Sequence, residues 1–162
     1  MVDVSHALVL SLHQPHGNLE DLLEEDEQQA KEILWAMDRI PRSLSPYEDV
    51  ARLHLSLSGT LLETLSSPEF QGRVHGVVDC GSLLRQLQNS RIIDVLGTAY
   101  YHPVLPLTPP ADWVEHVERW QRLGARLFDR NRFEGFWPPE MGFSMDLIPL
   151  LKRLGYSYVV VD

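Results

Sequence analysis

Cysteine is all but missing: Cys80 is the single one in 162 residues. That excludes an intrachain disulfide and any zinc cage built from thiolates, and it fits a reducing compartment. Basic residues are also short, 14 Lys and Arg against 23 Asp and Glu, for a formal net charge of −9. Nucleic-acid backbones and anionic membrane surfaces are gripped through Lys and Arg, so neither is expected as a partner. No stretch nears the roughly 18 apolar residues that a membrane span needs. The early run Ala7-Leu8-Val9-Leu10 is too short for a signal-peptide core, and no Lys or Arg precedes Lys31. Glycine-rich phosphate fingerprints are absent from the strand-to-helix junctions, so a nucleotide fold finds no support. The expectation is a soluble, cytoplasmic protein.

What the chain does have is apolar material for one core, at 44% hydrophobic and 23% charged. Its length suits one domain and falls short of a complete eight-fold barrel, which takes on the order of 200 residues or more. Short β-rich runs alternate with helical ones. Strands are expected over residues 7–12, 53–58, 92–97, 135–137 and 158–161, the last as a continuous buried-type strand. Helical spacing covers Leu19 to Met37, with Pro41 beyond its end. Further helices are expected from Leu61, over Ser82 to Asn89, from an Asp112 cap through Leu127, and over Met145 to Leu154 up to Gly155. The acidic run Glu24 to Glu27 reads as a solvated helix face, and Cys80 as a small buried filler. Strand and helix repeated four times before a fifth strand is the pattern of an α/β fold with a parallel sheet or barrel and helices outside.

In such folds functional groups collect after the carboxyl ends of the strands. There stand His13, Gln14 and His16; Ser58 and Glu63; Tyr100, Tyr101 and His102; Trp137 and Glu140; and Asp162. Aromatic rings beside carboxylates and neutral hydrogen-bonding groups suit a polyhydroxylated ligand, whose C–H faces stack while its hydroxyls bond.

Three of these junctions carry more. His13-Gln14-Pro15, Gly59-Thr60-Leu61-Leu62-Glu63 and Trp137-Pro138-Pro139-Glu140 stand in an order and spacing that resembles the opening motifs of glycoside hydrolase family 57, as do the YYHPVLPL and YSYVVVD stretches. The resemblance runs along essentially the whole chain. It implies a (β/α)7 barrel of which residues 1–162 form the amino-terminal part, about the first five strands. It also implies retaining hydrolysis or transglycosylation of α-glucans with no metal or other cofactor. By the same resemblance Glu140 is the nucleophile, Trp137 shapes a sugar subsite, His13 contacts sugar or nucleophile, and Glu63 is a buried carboxylate that orients its neighbours. Gln14, Tyr101 and Asp162 complete the expected substrate contacts. The family's general acid is an Asp on a later strand, downstream of this stretch, so little or no turnover is expected of these residues alone.

Two other readings stand beside this one. A metal-dependent deacetylase or mannosidase-like barrel would use His13, His102 and Asp162 as ligands. A non-catalytic glucan binder would keep the pocket without turnover. Outside the metal reading, His102-Pro103 is taken as structural, with the tyrosine pair packed beneath the loop. An incomplete barrel exposes edge strands, so self-association is also expected.

Overall fold

A computed structural model describes residues 7–161. Strands β1 (Leu8–Leu12), β2 (Leu53–Leu57) and β3 (Ile93–Leu96) form a parallel sheet in that order, with Leu10 beside Leu55 and Leu55 beside Val95. Strands β4 (Gly135–Phe136) and β5 (Tyr158–Val159) make a second parallel pair. Gly97 joins the two: its N–H donates to the Gly135 carbonyl at 2.9 Å and its carbonyl accepts from the Trp137 N–H at 2.8 Å. The strands therefore stand side by side in chain order, all parallel. A doubly wound sheet would reverse that order at a switch point; this is the opening arc of an α/β barrel.

The helices are α1 (Asn18–Glu25), α2 (Glu27–Leu44), α3 (Gly59–Ser66), α4 (Pro68–Val74), α5 (Cys80–Asn89), α6 (Pro110–Phe128) and α7 (Ile148–Arg153). Among the described residues no helix is long and apolar enough to cross a membrane. Helices α2, α3, α5 and α6 pack on one another over the sheet. Alternate strand residues Leu53, Leu55, Leu57, Ile93 and Val95 are buried in the core, with Leu61, Leu62 and Leu65 of α3 and Val117 and Trp120 of α6. Trp120 is fully buried, and its indole N–H donates to the Leu57 carbonyl at 2.7 Å. Cys80 is buried there too, and burial pushes its thiol up to about 11. The opposite sheet face is polar near its amino-terminal end. There the Tyr158 hydroxyl lies 3.2 Å from both His54 Nδ1 and Asp94 Oδ2.

Several local expectations are corrected. The stretch Leu19 to Met37 is two helices broken at Asp26, whose backbone leaves helical angles and whose carboxylate accepts from the Gln29 N–H at 3.1 Å. Helix α2 then runs through Pro41 to Leu44. An interior proline costs on the order of 3 kcal/mol, and burial of Met37 and Pro41 on the core side offsets it. Helix α6 starts at Pro110, so Asp112 lies in its first turn and is not the cap. Residues 145–154 divide into a 3₁₀ turn and the short α7. Strand β5 covers two residues and is not buried: Tyr158 and Val161 are exposed. Among the described residues it is paired with β4 alone.

Gly97 is a glycine for a steric reason. A Cβ there would lie 2.2 Å from the hydroxyl of buried Tyr156 and 2.4 Å from its ring. Gly97→Ala is expected to destabilise the protein by on the order of 1–3 kcal/mol through overpacking. Gly72 in α4 meets nothing within 4 Å, so Gly72→Ala is expected to stabilise by about 0.5–1 kcal/mol. Denaturant midpoints of the two variants check both signs.

Candidate active site

Three motif loops meet beyond the carboxyl ends of the strands, stitched by two threonine hydroxyls. Thr60, at the start of α3, donates its hydroxyl to the Gln14 carbonyl at 2.7 Å and its N–H to the Tyr100 carbonyl at 3.3 Å. It thereby ties the loop after β1 to the loop after β3. Thr98 donates to the Trp137 carbonyl at 2.8 Å, tying the loop after β3 to that after β4. Both threonines are buried, so each bond forms where water does not compete.

These ties bring His13, His102 and Glu140 together. The rings of His13 and His102 stack with centroids 4.2 Å apart and planes within 10°. His102 Nε2 lies 3.2 Å from Glu140 Oε1. The His102 side chain is 5% exposed and that of Glu140 is 71% exposed, so the carboxylate stands at an open rim beside a buried His102 ring stacked on a half-buried His13. Burial holds both histidines below their ordinary range. For His13 the neighbouring His102 adds to this and Glu140 opposes it; for His102 the bond to Glu140 opposes it. The pair is therefore neutral at pH 7.

The backbone here is costly. His102, Glu140 and Met141 all have φ between 53° and 58°, the left-handed region that non-glycine residues rarely occupy. Two successive turns impose it after β4: Met141 N–H donates to the Pro138 carbonyl at 3.0 Å and Gly142 N–H to the Pro139 carbonyl at 2.9 Å. Nδ1 of His13 and Nδ1 of His102 are buried without partners, as is Nε1 of Trp137 two residues after β4 begins. Such atoms are costly in a folding core and common at functional sites.

The other candidates fall elsewhere. Gln14 spends its side-chain oxygen on Asn18 Nδ2 at 2.6 Å, holding the start of α1. Glu63 is exposed and not buried. Its carboxylate accepts from the Tyr100 hydroxyl at 2.7 Å, and the Arg119 guanidinium lies 4.4 Å from that ring. Burial and then Glu63 push the Tyr100 hydroxyl up to about 12. Tyr101 packs edge-on against Tyr100 and His116, with Arg119 5.1 Å away, so it belongs to this flank beside α6. Asp162 lies outside the described residues. His102, read from sequence as structural, is the residue that sequence analysis undervalued. Its position after a strand was the available signal, and the adjoining proline and tyrosines masked it.

The metal reading does not fit this arrangement. A metal lies in the plane of each imidazole that binds it, and two parallel stacked rings cannot share an ion in both planes. No group of three or more His, Cys, Asp or Glu suited to a metal ion occurs among the described residues.

Comparison with known proteins identifies the family. The chain matches the model of Glycosyl hydrolase family 57 over residues 11–162. An α-amylase of Pyrococcus furiosus is 28% identical over 153 residues, covering 93% of this chain and 20% of that protein. A 4-α-glucanotransferase of Thermococcus kodakarensis is 25% identical over 153 residues, with the same coverages. The crystal structure of the α-amylase AmyC from Thermotoga maritima shares the fold, with a TM-score of 0.70 at 16% identity over 96% of this chain and 39% of that one. The chain thus spans about a fifth of the length of these two relatives. With the family model matched from strand β1 onward, the chain belongs to glycosyl hydrolase family 57.

Proposed function

We propose that residues 1–162 are the amino-terminal part of a catalytic barrel that processes α-glucans with retention of configuration, and that Glu140 is its nucleophile. The observation that carries this reading is the bond of Glu140 to the buried His102 ring, itself stacked on His13, beyond the carboxyl ends of β3 and β4. In a retaining glycosidase one carboxylate attacks the anomeric carbon while a second carboxyl group, roughly 5–5.5 Å away, protonates the leaving oxygen. A glycosyl ester forms, and water or another sugar then displaces the carboxylate. Glu140 has the access that an attacking carboxylate needs. Among the described residues its side-chain hydrogen bond is with His102; by the family resemblance the protonating carboxyl is an Asp on a later strand. The names of the relatives, α-amylase and 4-α-glucanotransferase, support an α-glucan substrate. His13 and Trp137 would flank the sugar. Among the described residues the outer edges of β1 and β5 are unpaired, and these are the edges through which residues 1–162 alone would self-associate.

Glycosyl fluorides test the nucleophile alone, because fluoride departs without a proton. With a 5-fluoro-α-maltosyl fluoride, the C1–F bond breaks as a Glu140 oxygen bonds to C1 and fluoride leaves. A covalent adduct on the peptide containing Glu140 is expected by mass spectrometry, and none with Glu140→Gln. An unlabelled wild-type chain, or labelling elsewhere, removes Glu140 from this role.

The neutral histidines also fix a pH dependence. Their folded-state pKa values lie below the unfolded value of about 6.5, so the unfolded chain binds more protons in the interval between. Their contribution to stability is complete above about pH 7 and declines as pH falls below about 6.5. Melting temperature is expected to drop between pH 7 and 5.5, and less steeply in the double variant His13→Gln, His102→Gln.

A further inference from the structure

We infer that His102, which lies outside the three motifs, is a positioning residue that fixes the orientation of the Glu140 carboxylate. The inference rests on the reading of Glu140 as nucleophile and adds to it a determinant supplied by a different strand. Glu140 alone is poorly constrained. Its side chain projects from a turn in the left-handed region and is 71% exposed, so rotation about its side-chain bonds is opposed by little besides its bond to His102.

His102 is constrained on every side. Its ring is 5% exposed and lies flat on His13 at 4.2 Å. Its backbone N–H donates to the Ala99 carbonyl at 3.1 Å, closing the turn that sets φ at 58°. Thr98 and Tyr100 on the same loop are anchored to Trp137 and to Thr60. The direction of the Nε2 atom is therefore fixed by packing before Glu140 is considered.

The tautomer follows from which nitrogen has a partner. Nδ1 of His102 is buried with no hydrogen-bond partner, while Nε2 faces Glu140 Oε1 at 3.2 Å. Placing the proton on Nδ1 would bury a donor without an acceptor and turn a lone pair toward a carboxylate. Placing it on Nε2 gives a charge-assisted N–H to carboxylate bond. That bond occupies Oε1 and leaves Oε2 as the oxygen free to attack, so one imidazole selects both the plane of the carboxylate and its reacting atom. Stacking makes His13 the back support of the same device, which couples the loop after β1 to the loop after β4 through the loop after β3.

The experiment uses three variants, with melting curves to select folded proteins; the two at His102 are labelled with the 5-fluoro-α-maltosyl fluoride beside the wild type. His102→Phe keeps a flat ring against His13 and loses the donor. His102→Gln keeps an N–H donor at similar reach. Glu140→Ala removes the acceptor and is followed by ¹⁵N NMR of the imidazoles. In the wild type, His102 is expected as the Nε2–H tautomer above pH 7, and Glu140→Ala is expected to shift both of its nitrogen resonances. Misplacement of a reacting group by about an ångström costs up to roughly a hundredfold, so His102→Phe is expected to label on the order of tenfold to a hundredfold more slowly. The reagent concentration giving half-maximal rate should hardly move, and His102→Gln should recover most of the rate. Equal labelling by folded His102→Phe, or His102 resonances unmoved in Glu140→Ala, overturns the positioning role while leaving Glu140 as nucleophile. No adduct on the wild type overturns the reading of Glu140, and this inference with it.

Discussion

The architecture turns on a close approach at Gly97. Its two backbone hydrogen bonds are the bridge by which the three-stranded sheet continues into β4 and β5. The Tyr156 side chain fills the space in which any other residue would place its Cβ. A side chain there would push Tyr156 off Phe136, against which it packs edge-on with centroids 5.1 Å apart. It would also disturb Thr98, the next residue, which holds the Trp137 carbonyl. Sheet continuity and the placement of the loop bearing Glu140 therefore depend on one small residue. The same economy appears at Gly59, where a Cβ would lie 2.3 Å from the Tyr100 ring.

Around that joint the site combines features that folding alone would select against. Three non-glycine residues occupy left-handed backbone, each costing on the order of 1–3 kcal/mol. Two imidazoles stack face to face, and the buried Nδ1 atom of each lacks a partner. These costs are borne by the packed helices α2, α3, α5 and α6 and by the buried threonine bonds, which fix the loops from below. The carboxylate of Glu140 is open to solvent while the His102 ring that bonds it is held by packing.

Alternation of strand-like and helical stretches was legible in the chain because burial on a sheet and burial on a helix leave different periods. The parallel α/β class followed from that, as did the strand-end location of His13, Trp137 and Glu140. The break at Asp26 and the passage of α2 through Pro41 were hidden, since capping and proline costs are local while the packing that outweighs them is not. Glu63 shows the same limit. Its spacing in the motif said nothing about which side of α3 it would face, and α6 brought Arg119 to the Tyr100 ring that Glu63 bonds.

By itself, then, the sequence determined the type and order of most elements, the acidic charge balance and the polar and aromatic candidates at the strand ends, because these depend on side-chain identity and near neighbours. Only the tertiary structure decided which of those residues meet. His13, His102 and Glu140 lie on three different loops, and nothing in their spacing encodes a ring stack at 4.2 Å or a bond at 3.2 Å. Those contacts exist because parallel strands in chain order return every loop to the same end of the sheet, and because buried hydroxyls and glycines set how closely the loops approach there.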